Sequence, residues 1–162
     1  MLCGSGTSSR LVGVFILMVF VVGLLGSSCR SSYPPAYEEF LNLPRDQRVD
    51  ALSKYPPEEQ VDRYVWAMLV RHPPQIELAD VVAKNGARVL PIVIRRIQEE
   101  EAAATQVDLL LVVRRIQEMG EVDVAGDAET MAALEAAVSS MDDPDWKPQA
   151  VEILEKLRRA RG

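Results

Sequence analysis

The chain has 162 residues, 48% of them apolar and 26% charged, and its 24 Asp and Glu against 18 Lys and Arg give a formal net charge of −6. That balance argues against a disordered chain, a multispan membrane protein and a nucleic-acid binder, which needs a basic face. One histidine, His72, and two cysteines, Cys3 and Cys29, speak against a disulfide framework and a histidine-rich zinc centre.

Residues 1–28 fall into three zones: a polar start ending at Arg10, an uncharged apolar run from Leu11 to Leu25, and the small residues Gly26, Ser27 and Ser28 before Cys29. This is the anatomy of a secretory signal. At ~1.5 Å per residue the apolar run makes only about 22 Å of helix, short of the roughly 30 Å hydrocarbon core, so a signal is the better reading than a spanning helix.

The segment Leu25-Gly26-Ser27-Ser28-Cys29 resembles the lipobox of bacterial lipoproteins. The resemblance implies a diacylglyceryl group on the Cys29 sulfur, cleavage before Cys29 and acylation of the new amine, with this covalent lipid as the only cofactor. Gly26 stands where that family most often has Leu. The residue after the cysteine is Arg30 rather than Asp, which by the same resemblance favours the outer membrane where the host has one. Two or more acyl chains anchor stably, at about 0.8 kcal/mol per buried CH2. The expected layout is therefore a signal over 1–28, a tether over 29–35 containing Ser31, Ser32, Tyr33, Pro34 and Pro35, and a folded domain over 36–162.

Within that domain the apolar residues recur at helical spacing. Weaker helices are expected over 36–42 and 45–54. Val61, Tyr64, Val65, Met68 and Leu69 form a stripe behind Pro57, Glu58 and Glu59, a first turn suited to the helix dipole, and Pro73-Pro74 ends it. Leu78, Val81 and Val82 give a shorter helix closing near Asn85-Gly86. Leu90, Val93, Ile94 and Ile97 start a helix at or kinked by Pro91. Leu109, Val112, Val113 and Ile116 precede Gly120, Met131, Leu134 and Val138 follow the N-cap Asp127, and Ala150, Ile153, Leu154 and Leu157 close the pattern. The runs Val65–Val70 and Leu109–Val113 lack a clean polar side and are expected to be the most buried.

Residues 89–101, VLPIVIRRIQEEE, match residues 108–120, DLLLVVRRIQEMG, at seven of thirteen positions. Duplication or two solutions to one packing problem would each explain this. Pairing helices as 57–72 with 75–85, 90–101 with 105–119 and 128–141 with 146–160 gives an all-α fold of antiparallel helical hairpins. The arrangement resembles a short HEAT or armadillo-type solenoid, with a compact helical bundle as the alternative.

Chemistry-bearing residues are few. His72 lies near Glu77 and Asp80 in sequence, but one histidine is a poor metal signature, so no metal is expected. The carboxylate groups Glu58/Glu59, Glu99/Glu100/Glu101 and Asp142/Asp143 sit at helix ends, where solvation and the dipole explain them. Ser139 and Ser140 lack a nucleophile's context, so no catalytic residue is assigned. Arg95, Arg96, Arg114 and Arg115 pair with local acids such as Glu99, Glu100 and Glu118, or form a ridge for an acidic partner. Tyr33, Tyr37 and Phe40 dock a partner or pack on the domain.

The functional expectation is a lipid-anchored protein of the bacterial cell envelope that contacts the membrane through its anchor. It acts on a protein partner as a scaffold or accessory subunit, with no nucleic acid and no small-molecule substrate identified. The alternatives are an acidic inhibitor or immunity-type lipoprotein, or a cell-wall hydrolase.

Overall fold

The computed structural model describes residues 35–160, and Cys29, Tyr33 and the expected signal lie outside them. Among the described residues eight helices follow one another: α1 Pro35–Asn42, α2 Arg45–Leu52, α3 Pro57–Val70, α4 Glu77–Ala83, α5 Leu90–Glu99, α6 Ala103–Met119, α7 Ala128–Ser140 and α8 Lys147–Arg159. A 3-10 turn over Gly86–Arg88 joins α4 to α5. Among the described residues there is no strand, and no helix is long and apolar enough to cross a membrane. The all-α expectation holds.

Local chemistry sets the helix ends. Pro35, the last residue of the expected tether, opens α1. Pro57, Pro91 and Pro148 occupy first-turn positions of α3, α5 and α8, where the missing N–H costs nothing, so Pro91 starts its helix rather than kinking it. Asp127 caps α7 by accepting the Glu129 N–H at 3.1 Å. Gly120 ends α6 at φ +73°. Helix α3 stops at Val70, two residues earlier than its spacing predicts: Pro73 disfavours helical backbone at His72, and Arg71 is already extended. Helix α4 is also shorter than expected, because the left-handed residue, Gly86 at φ +48°, opens the 3-10 turn instead of closing the helix.

The contacts resolve the hairpin order. Helices pair as α1–α2, α3–α4, α5–α6 and α7–α8; α1, α3, α5 and α7 then touch in succession as one layer, and α2, α4, α6 and α8 as the other. The C-terminal end of α3 reaches that of α1 through Arg71, and the start of α2 meets the start of α4 through Arg45 and Glu77, so helices within a layer run in the same direction. This is the contact order of stacked helical pairs. It has four pairs where three are expected, because Phe40, Leu41 and Leu52 bury α1 and α2 against the rest. Helix α3 also touches α6, a contact across the layers between successive pairs.

Helix α6 is the hub, touching α3, α4, α5 and α8. Leu109, Leu110, Val112, Val113 and Ile116 are fully buried, and Leu111, on the outer side of the apolar run, is half-buried. The run on α3 behaves differently. Val65, Ala67 and Met68 are buried, but Leu69 is 44% exposed, because Asp62, Trp66 and Leu69 share the outward strip of a helix whose other faces are covered. The seven-position match places Leu90, Val93 and Ile97 of α5 and Leu109, Val112 and Ile116 of α6 in the same core. It relates the two helices of one pair, which belong to opposite layers, so it is not the repeat unit of the stack.

Candidate functional site

The two arginine pairs reach different neighbours. Arg95 and Arg96 extend from α5 to Glu58 and Asp62 of α3, at 3.5 and 3.9 Å. The expected partners Glu99 and Glu100 are not used, and Glu100 lies in extended backbone past the helix end, which removes the one-turn geometry. Arg114 does bind Glu118 at 2.8 Å, while Arg115 binds Glu118 at 2.7 Å and Asp80 of α4 at 3.1 Å. Each pair thus ties its helix to the preceding helix of its own layer. Arg95 also stands between two clefts: one of about 300 Å³ between α3 and α5, and one of about 440 Å³ between α5 and α7 lined by Leu90, Pro91, Ile94 and Thr130.

Two acidic clusters separated by some forty residues come together. Glu100 and Glu101, from the α5–α6 turn, line a cleft of about 510 Å³ with Asp142 and Asp143 from the α7–α8 turn. Glu100 accepts the Ala102 N–H and Asp143 accepts those of Asp145 and Trp146, so these carboxylates also cap their turns. Glu58 and Glu59 are elsewhere, bound to Arg95 and Arg63. The acidity is uneven along the chain: residues 90–160 carry a net charge of −7 and residues 35–89 only −2.

His72 is exposed beyond the end of α3. Its sequence neighbours Glu77 and Asp80 are engaged by Arg45 at 2.6 Å and Arg115 at 3.1 Å, and hydrogen bonds from the helix backbone and Arg45 hold the Glu77 carboxyl below its usual range. Among the described residues no group of three His, Cys, Asp or Glu is arranged to hold a metal ion. Ser140 donates to the Ala137 carbonyl at 2.9 Å.

Three arrangements escaped the sequence. The Arg63 side chain, 5% exposed, bonds Glu59 at 2.7 Å and lies 3.6 Å over the Tyr55 ring and 5.0 Å from the Tyr37 ring. Phe40 packs edge-on against Tyr55, and the Tyr37 hydroxyl donates to Asp62 at 3.3 Å, so Phe40 is core and Tyr37 braces α1 on α3. Burial first, then the Asp62 charge, raises the Tyr37 hydroxyl above its ordinary value. Glu59 and Arg63 at one-turn spacing were the available signal; burial of that arginine was not readable from it.

The second is Asp108 on α6. Desolvation by burial pushes its carboxyl up to about 6. The group lines neither the α3–α5 cleft, nor the α5–α7 cleft, nor the acidic one. Tyr64, fully buried beside it, donates to the Asp108 backbone carbonyl at 2.9 Å, and burial more than the nearby Asp108 and Asp80 charges lifts its hydroxyl well above 10.

The third lies where the α1–α2 turn meets the α3–α4 loop. Arg71 donates to the Leu41 carbonyl, and Arg48 donates to the Leu43 carbonyl at 2.9 Å and to the Gln75 side chain at 3.0 Å. Gln75, 2% exposed, donates back to the Arg45 carbonyl at 2.8 Å. Arg71 and Arg48 thereby satisfy carbonyls left open at and just past the C-terminal end of α1.

No protein-family model, curated protein or solved structure matches the chain.

Proposed function

We propose that the protein is held at a membrane of the bacterial cell envelope by a lipid on Cys29 and presents its helical stack as a docking scaffold, an accessory subunit of an envelope assembly. The observation that carries the reading is the two-layered order of four helix pairs, which sets helices side by side and leaves clefts along α3, α5 and α7. Ribbed faces of this kind suit extended protein partners. The lipobox-like segment ending at Cys29 supports the address.

The test is photo-crosslinking in the native envelope from a probe at Arg95, between the two clefts, followed by mass spectrometry. A recurrent protein partner is the expected result. No crosslink from that layer, together with turnover of a wall polymer by the purified chain, would replace the scaffold with an enzyme.

A second reading, an acidic inhibitor of a basic protein, is favoured by the −7 carried by residues 90–160 and by the convergence of Glu100, Glu101, Asp142 and Asp143. Crosslinks from Asp142 to a basic partner, weakening steeply with salt, would place this reading first.

A further inference from the structure

The contacts around Arg48 and Arg71 serve the fold, yet they leave positive charge uncompensated. Neither guanidinium lies within ion-pair distance of a carboxylate among the described residues; both are held by neutral oxygens, those of Leu41, Leu43, Asn42 and Gln75. Burial first, then the charges of Arg71 and of Arg45, itself paired with Glu77 at 2.6 Å, lower the affinity of Arg48 for its proton. Two like charges held on carbonyls of one turn favour an anion with several acceptor oxygens. The same end of the stack carries exposed apolar groups. Leu69 and Ile76, 44% and 48% exposed, are the two most exposed large hydrophobics among the described residues, and they flank the loop that contains Arg71 and Gln75.

We propose that this end, formed by the α1–α2 turn and the α3–α4 loop, is a membrane-contact edge: Arg48 and Arg71 take the phosphates of anionic lipid headgroups while Leu69 and Ile76 enter the headgroup layer. Lone apolar side chains beside cations fit an interface of lipid better than a folded protein partner, which would call for a contiguous apolar patch. The inference rests on the reading that the chain is membrane-held, since tethering turns a weak surface contact into an intramolecular one. The edge then orients the stack and leaves the acidic turns of its second half for other partners.

The experiment uses the full chain reconstituted into vesicles of phosphatidylcholine alone or of phosphatidylcholine and phosphatidylglycerol in equal amounts, read by hydrogen exchange. Exchange over residues 71–77 is expected to slow by about 25-fold in the anionic vesicles only, about fivefold for each of the two arginines. Arg48→Gln with Arg71→Gln abolishes the effect. Because those changes also uncap α1, Ile76→Asp, at an exposed position, is the companion variant and should weaken the effect with the helices intact. Equal exchange in both vesicles, or slowing by inorganic phosphate in neutral vesicles, overturns the proposal. Failure of the chain to stay with either vesicle overturns the anchor instead.

Discussion

Tyr64 on α3 donates its hydroxyl hydrogen to the backbone carbonyl of Asp108 on α6, 2.9 Å away and 44 residues further along the chain. The bond fastens α3 to α6, a contact that joins the second helix pair to the third across the layers. Tyr64→Phe keeps the ring in the core and removes only the hydroxyl, so the expected loss is about 0.5–1.5 kcal/mol. Urea unfolding measures it; an unchanged midpoint would mean that the crossing rests on packing alone.

Asp108 makes stability depend on pH in a definite direction. Its folded-state value, about 6, stands above the ordinary 3.8, so the folded chain keeps the proton to higher pH than the unfolded chain. The contribution is complete below about 4 and is lost as pH rises through about 6. Asp108→Asn removes that dependence, so the variant should gain on the parent chain between acidic and neutral pH. A difference in unfolding free energy that stays constant across this window would contradict the burial of the carboxyl.

Arg63 is held by ring faces as much as by charge. A lysine at this position keeps the ion pair with Glu59 but has no flat group to lie 3.6 Å over Tyr55. Arg63→Lys should cost about 1–2 kcal/mol, and Glu59→Gln, at the exposed side of the pair, less than about 1 kcal/mol. If the two changes cost the same in thermal unfolding, the stacking contributes little.

Gly120 tests the end of the hub helix. At φ +73°, with nothing within 4 Å of an added Cβ, alanine meets backbone strain and no clash. The expected penalty for Gly120→Ala is about 1–2 kcal/mol. Denaturant unfolding that shows no change would mean that the turn from α6 to α7 relaxes freely.

Much of the fold was legible where a local rule decides it. Pro91 at the start of α5, Asp127 as the cap of α7, Gly120 at the end of α6 and the buried stripe from Leu109 to Ile116 each follow from residue chemistry and helical spacing. The first helix pair was faint because two eight-residue helices show little periodicity; Phe40, Leu41 and Leu52 define it only once α1 and α2 pack on α3 and α4. The partners of Arg95 and Arg96 were not legible for a similar reason, since Glu58 and Asp62 become neighbours only when α5 is laid against α3. Nothing in the local sequence marks Arg48 and Arg71, whose acceptors become neighbours only when the turns they join are brought together.

Whether a lipid-held stack of helices works from an envelope surface is decided by the mass of the mature chain in its own host. An N-terminal Cys29 carrying acyl chains is expected, together with release of the protein from the membrane fraction in Cys29→Ser. A chain that retains Met1 with an unmodified Cys29, found in the same fraction with and without the substitution, would contradict the anchor and the scaffold built on it.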